Sequence, residues 1–315
     1  MAGAPPLLEI GGNPAPTGGE AEWVRGAGGG RLRAALFPPQ GRVRGSVVVS
    51  PGRTEPIEKY FEVAGRLTGQ GFAVLVHDWR GQGLSERIVS DGQLGHADGY
   101  ADFLTDFTAV LDHFETRLPR PWLALGHSMG GCLTLLAVTE GEDRFAAALL
   151  SAPMLGLRTG QVPRLIARVL ALIMRAIGRG AASIPAPGGS DPAAFEDNIL
   201  THDRERYARD LELTRTWPDL ALGAPTWGWL DFAFSATDRL ARNAGAAAIC
   251  IPVVVLIAGE DILVDNQRAK ATTARLPHGQ ALIIAGARHE ILQETDEIQA
   301  PAWRAFAELA ASVAP

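Results

Sequence analysis

Two cysteines, Cys132 and Cys250, are all that 315 residues contain, too few for a disulfide framework. Both are expected to be buried, inert thiols, and their scarcity suits a reducing compartment. Cationic residues are not in excess either. With 29 Lys and Arg against 35 Asp and Glu, the formal net charge is −6, which argues against a general nucleic-acid binder because no surplus of cations is there to neutralise phosphates. No stretch approaches an uninterrupted apolar membrane span. Met1–Gly19 lacks a basic start followed by an apolar run, so no signal peptide is expected. There is no His-Glu-x-x-His, no cluster of Cys and His, and no Gly-rich phosphate loop or dinucleotide fingerprint after a strand, so neither metal nor cofactor is expected. These absences leave a protein expected in the cytoplasm. A hydrophobic content of 47% is enough for a sizeable core.

What is present is an alternation of apolar strands and amphipathic helices. Glu22–Arg25 and Arg31–Phe37 read as short strands around a Gly-rich turn, and Ser46–Ser50 and Phe72–His77 as buried strands. Between the latter two, Ile57–Gln70 carries Tyr60, Phe61, Ala64 and Leu67 at helical spacing, and Gly71 closes it. Tyr100–Leu118 is a second amphipathic helix. Strands follow over Trp122–Leu125, Ala146–Ser151, Ile251–Ala258 and Gln280–Ala285, and Glu294–Val313 is a closing helix. Such alternation predicts an α/β fold with a mostly parallel central sheet and right-handed crossovers. It breaks over 153–240, where helical patterns and Pro/Gly loops replace strands. The expected organisation is a flexible N-terminal tail over 1–20, a core over 21–152 and 241–315, and a helical cap over 153–240 above the strand ends, where open α/β sheets bind ligands.

The centre of the chain is Gly126-His-Ser-Met-Gly-Gly131, a G-x-S-x-G set between an apolar strand and a helix-forming run. A strand that turns abruptly into a helix strains its central serine and leaves no room for side chains two positions away, which accounts for Gly126 and Gly130. The Ser128 hydroxyl is then exposed ahead of a helix N-terminus that favours developing negative charge. A serine nucleophile needs a base, and the base an orienting acid. Among seven histidines, His289 follows the strand ending at Ala285 and precedes the last helix, where a loop can deliver an imidazole to Ser128. His96 lies in a Gly/Asp loop that can also approach the site, while His77, His113, His127, His202 and His278 are worse placed. For the acid, the strand ending at Ala258 runs into Gly259-Glu-Asp-Ile-Leu-Val-Asp265. Asp261 and Asp265 both fit and Glu260 remains open; Asp261 is nearest the strand end, and Asp265 suits a helix N-cap. Backbone donors for an oxyanion are expected from Met129 N–H and from the Pro51-Gly52-Arg53 loop, where Pro51 has no N–H and Arg53 N–H is the choice.

Gly126-His-Ser-Met-Gly-Gly131, Asp78-Trp-Arg-Gly-Gln-Gly-Leu-Ser85 and Gly286-Ala-Arg-His-Glu290 resemble the lysophospholipase and monoacylglycerol lipase branch of the α/β-hydrolases. The resemblance spans most of residues 44–150 and 250–295. Ser50-Pro-Gly-Arg53 with Glu58-Lys-Tyr60 is similar to the bacterial lysophospholipase variant, and Pro51 stands where monoglyceride lipases carry histidine. The resemblance implies an α/β-hydrolase fold, the order Ser, Asp, His, the acid at Asp261, and hydrolysis of lipid esters through an acyl-enzyme. Hydrolysis of small soluble esters or thioesters, and a non-catalytic binding role on the same scaffold, are the competing readings. One further expectation concerns 163–178, a helix with Arg164, Arg168, Arg175 and Arg179 on a narrow stripe and Leu165, Ile166, Val169, Ile173 and Ile177 on the rest. Either its arginines meet lipid phosphates at a membrane surface while its aliphatic side faces acyl chains, or its apolar face packs on the core and the arginines are merely solvated.

Overall fold

The computed structural model describes residues 3–185, 194–242 and 244–314. Strands β1 (Glu20–Arg25), β2 (Arg31–Phe37), β3 (Gly45–Ser50), β4 (Phe72–His77), β5 (Trp122–His127), β6 (Phe145–Ser151), β7 (Val253–Ala258) and β8 (Gly279–Ile284) form one sheet in the order β1-β2-β4-β3-β5-β6-β7-β8. β1 and β2 are antiparallel to their neighbours, and the other six strands are parallel. The apolar runs of β3, β4, β5 and β7 are buried along their whole length, as strands covered on both faces must be. Helices α1 (Phe61–Gly69) and α8 (Asp296–Val313) share the buried cluster on one face; α2 (Ala101–Phe114) and α3 (Ser128–Thr139) share the one on the other.

Between β6 and β7 lie α4 (Arg164–Ala176), α5 (Arg204–Thr216) and α6 (Trp227–Arg242), with no strand among the described residues; 186–193 of this expected cap lie outside them. α6 does not stand apart from the sheet. Phe232, Ala233, Ala236 and Leu240 belong to the same buried cluster as α2 and α3. α7 (Asn266–Thr273) then covers the β7–β8 crossover.

Three expectations are corrected. The N-terminal segment, expected to be a flexible tail over 1–20, is held from residue 3 onward; Met1 and Ala2 lie outside the described residues. Its Leu8 N–H donates to Glu58 Oε1 at 3.1 Å, the Asn13 amide to Glu58 O at 3.0 Å, and the Pro6 carbonyl accepts from Arg33 at 3.0 Å. Arg33 on β2 is itself fully buried between Glu58 and Asp78, at 2.6 and 2.7 Å, so the segment closes over a buried charge that needs every acceptor within reach. Cys132 is buried as expected, but Cys250 is exposed, because the chain before β7 runs along the surface.

The third correction concerns α4: its aliphatic face does not pack on the core but is exposed, as the membrane-surface reading requires, whereas the arginines assigned there to lipid phosphates are paired within the protein. Its arginines face the protein: Arg164 and Arg168 pair with Asp238, and Arg175 with Asp231, all on α6. Only Ala167 and Ala171 are buried. Leu165 is 72% and Ile177 62% exposed, and Val162, Ile166, Val169, Leu170, Leu172 and Ile173 are exposed beside them.

Candidate active site

β5 passes into α3 without a spacer, and the turn falls on Ser128, whose φ is +47°. A non-glycine residue held there costs roughly 1–3 kcal/mol. Close approach of the neighbouring backbone enforces it. A Cβ on Gly126 would lie 2.7 Å from Gly131 Cα, and one on Gly130 would collide with the carbonyl oxygens of Ser50 and Pro51. The absent side chains let α3 abut both β5 and the loop after β3, and they leave the serine hydroxyl projecting at the helix N-terminus.

His289, in the loop after β8, places Nε2 2.9 Å from Ser128 Oγ and Nδ1 2.7 Å from Asp261 Oδ2. The other carboxylate oxygen, Oδ1, accepts the N–H groups of Leu263 and Val264 at 2.8 and 3.1 Å. Burial alone would raise the Asp261 pKa, but the His289 hydrogen bond and charge, with these two N–H groups, hold it below the ordinary carboxylate value. Asp261 therefore stays ionised and fixes the imidazole tautomer that presents Nε2 to the serine. Asp265 does other work, capping α7 by accepting from Gln267 and Arg268 N–H, and Glu260 is exposed, 3.6 Å from His202. His96 is taken by Thr226 at 2.8 Å and is not in contact with Ser128.

Met129 lies in the first turn of α3, where an N–H has no intrahelical acceptor. The opposing loop, Pro51-Gly52-Arg53-Thr54, is clamped from outside. Trp79 Nε1 donates to Pro51 O at 2.8 Å, Gln82 Nε2 to Gly52 O at 3.1 Å, and Thr54 N–H to Gln82 Oε1 at 3.0 Å. Gly52 N–H is spent on the Glu55 carboxylate, whereas the Arg53 N–H finds no acceptor among the described residues. The motif from Asp78 to Ser85 thus acts as the scaffold of this loop, a role invisible in its residue types. The only local hint was the pair Gly81 and Gly83, both at positive φ, with Gly83 packed directly on the Asp78 carboxylate.

Ser128 and His289 open on a cavity of about 480 Å³, walled mainly by apolar side chains that include Met154, Leu157, Leu170, Trp227, Leu230 and Leu263. Part of that wall comes from the segment between β6 and β7.

Residues 41–296 match the family model described as serine aminopeptidase, S33. Lysophospholipase L2 of Escherichia coli is 35% identical over 271 residues, covering 82% of this chain and 78% of that protein. The chain is an α/β-hydrolase of the lysophospholipase and monoacylglycerol lipase branch. A monoacylglycerol lipase of Mycolicibacterium smegmatis is 25% identical over 86% of this chain and 90% of its own. Among solved structures, a soluble variant of monoglyceride lipase from Saccharomyces cerevisiae in complex with a substrate analog superposes with a TM-score of 0.74 over 94% of this chain and 97% of that one, at 18% identity. That likeness carries the fold alone.

Behind its serine the hydrolase holds a buried ionic network that the sequence did not signal. Lys59 Nζ lies 2.6 Å from Glu290, 3.1 Å from Asp210 and 3.3 Å from Glu55. His127 bridges Glu55, at 2.9 Å from Nδ1, and the His289 carbonyl, at 3.2 Å from Nε2. Both partners are acceptors, so both ring nitrogens donate and His127 is a cation. Burial pulls its pKa down, but the Glu55 charge outweighs this and raises it. The imidazolium thereby ties the backbone of His289 to the Gly52–Glu55 loop on the other side of Ser128.

Asp210 sits at the edge of this network, and burial pushes its pKa from 3.8 up to about 6 against the pull of Lys59. The folded chain therefore takes up this proton at higher pH than the unfolded chain does. Between those two values stability falls as pH rises. Asp210→Asn removes that dependence, so in urea titrations its stability relative to wild type is expected to improve from about pH 4 to about pH 7. A flat or opposite trend would clear Asp210 of this role.

Proposed function

We propose that this hydrolase cleaves the ester of single-chain lipids, lysophospholipids or monoacylglycerols, through an acyl-enzyme on Ser128. The observation that carries the reading is the Ser128–His289–Asp261 hydrogen-bond chain at the wall of a largely apolar cavity; the names of the relatives supply the substrate class. His289 Nε2 takes the Ser128 proton as Oγ attacks the ester carbon, and Asp261 stabilises the imidazolium that results. The N–H groups of Arg53 and Met129 bind the oxyanion. His289 then returns its proton to the departing glycerol oxygen, and a water attacking the acyl-enzyme is activated by the same nitrogen. A panel of p-nitrophenyl esters, monoacylglycerols and lysophospholipids, with fluorophosphonate labelling, tests this. Labelling of Ser128 with kcat/KM rising with acyl length is the expected result, whereas a preference for acetyl esters would move the substrate to small soluble esters.

Residues 153–240 act in this reading as the cap over the cavity, and α4 as its contact with a lipid surface. Val162 and Leu170 both line the cavity and belong to the exposed aliphatic face of the α4 region, which makes that face continuous with the site. Each aliphatic side chain fully removed from water contributes about 1.5–3 kcal/mol. The arginines are already paired with Asp231 and Asp238, so anionic headgroups are not required. Among the described residues no helix is long and apolar enough to cross a membrane, so the contact is peripheral. Flotation with neutral phosphatidylcholine vesicles is expected to carry the wild type and to lose Leu165→Asp/Ile173→Asp. Wild type that ignores neutral vesicles, or a double variant that floats unchanged, removes α4 from the interface.

A further inference from the structure

We infer that Arg53 and Trp229 form an anion subsite within the Ser128 cavity, built to take the phosphate carried by the leaving alcohol of a single-chain lipid ester. The inference rests on the proposed ester hydrolysis and resolves which of its two lipid classes this cavity is made for.

Arg53 lines the cavity, yet among the described residues no carboxylate comes within ion-pairing distance of its guanidinium. The acids that share the cavity are already committed: Glu55 to His127, Tyr60 and Gly52 N–H, and Glu290 to Lys59. One guanidinium N–H meets the Gly223 carbonyl. Arg53 Nε, in contrast, is buried with no acceptor among the described residues, and so is the indole Nε1 of Trp229. The two residues are neighbours, since the guanidinium carbon lies 5.4 Å from the Trp229 ring centroid, and both line the same cavity.

Buried donors are nearly always satisfied, and a buried cation nearly always has a counter-charge. Here two donors and one positive charge lack theirs in a single place. Burial without a compensating charge pulls the Arg53 pKa down to about 10, so the cation persists at neutral pH but is held at a cost. Gly95 packs directly against the group: a Cβ there would lie 2.7 Å from one guanidinium nitrogen and 2.9 Å from Nε, so a larger residue would shift the arginine side chain. A phosphodiester monoanion supplies acceptor oxygens and the missing charge together, in charge-assisted hydrogen bonds. A monoacylglycerol supplies hydroxyls but no charge. Arg158, exposed at the same cavity, adds to the positive potential there.

The test is equilibrium binding to the full chain of two ethers of equal alkyl length, dodecyl glycerophosphocholine and dodecyl glycerol. Neither has a cleavable acyl ester, so the result does not depend on turnover. Wild type is expected to prefer the phosphate-bearing ether by about tenfold or more, the range of a charge-assisted hydrogen bond. Arg53→Met should bring the two affinities to within about twofold, and Trp229→Phe, which keeps the ring and loses the N–H, should reduce the preference by about threefold. Each variant is compared only if its melting curve matches wild type; should Arg53→Met not fold, the Trp229→Phe result stands for the pair. Equal affinities in wild type, or a preference that survives the substitutions, overturns the subsite. Displacement of the ether by micromolar inorganic phosphate would reassign it to free phosphate and overturn the lipid-borne source. Failure of the ester-hydrolase reading is distinct from all of these, because it appears as absence of fluorophosphonate labelling at Ser128.

Discussion

Ser128→Ala is expected to lower kcat by about 10⁴ or more while leaving the melting curve near that of wild type. The methyl group keeps the elbow filled and even the strained φ is unchanged, so the loss is chemical. His289→Ala should do the same, since without Nε2 nothing within 2.9 Å of Oγ takes its proton. The two losses should not add, because the groups act as one unit: a double variant is expected to be about as slow as either single variant. Asp261→Asn keeps the shape but offers an N–H where Oδ2 now accepts from Nδ1, turning the ring toward the wrong tautomer, and should cost about 10³–10⁴. Asp265→Asn removes charge from a helix cap and leaves the chemistry alone, with about 1 kcal/mol of stability at stake. Steady-state hydrolysis of a p-nitrophenyl ester separates these outcomes, and near-normal turnover by folded Ser128→Ala would falsify the nucleophile assignment.

The largest expected effect on stability comes from Lys59→Met. Methionine fills the volume of the lysine stem but leaves Glu55, Asp210 and Glu290 without the ammonium that sits 2.6–3.3 Å from each. Breaking a buried ionic group by removing one partner costs about 3–5 kcal/mol, far more than the pair itself contributes. Burial tends to lower the Lys59 pKa, and the three carboxylates more than reverse this, raising it well above the ordinary value. The ammonium is therefore retained at neutral pH. Urea unfolding at neutral pH measures the loss. Part of it should be recovered on acidification, as Asp210, whose pKa burial pushes up to about 6, is neutralised. A loss below about 1 kcal/mol would show that water replaces the ammonium there without penalty.

Local chemistry made much of this legible in the chain. The nucleophile elbow depends on residues within a few positions of Ser128, and the steric need for glycine on both sides is a local fact. Strands buried on both faces appear as continuous apolar runs, so all eight strands fall within two residues of where periodicity and composition put them; β7 starts at Val253, after Pro252. The choice among Glu260, Asp261 and Asp265 was open from position alone. In space one of the three carboxylates touches His289 and another caps a helix, and the proposed role of Asp261 rests on that contact.

The sequence by itself determined that α4 has two faces, since its arginines and aliphatics recur at helical spacing, but periodicity carries no sign. Which face turns inward depends on Asp231 and Asp238, which α6 brings beneath it from far along the chain. Three part-buried ion pairs hold the arginine side against α6, with Ala167 and Ala171 as the small apolar contact between them. The same holds for Lys59, whose partner Glu290 is 231 residues away, and for Arg53, whose lack of a counter-charge among the described residues emerges only once every neighbour is in place. Charges are satisfied in three dimensions, through space and not along the chain. Backbone turns are satisfied within a few residues, and this is why the elbow could be read and the ionic network behind it could not.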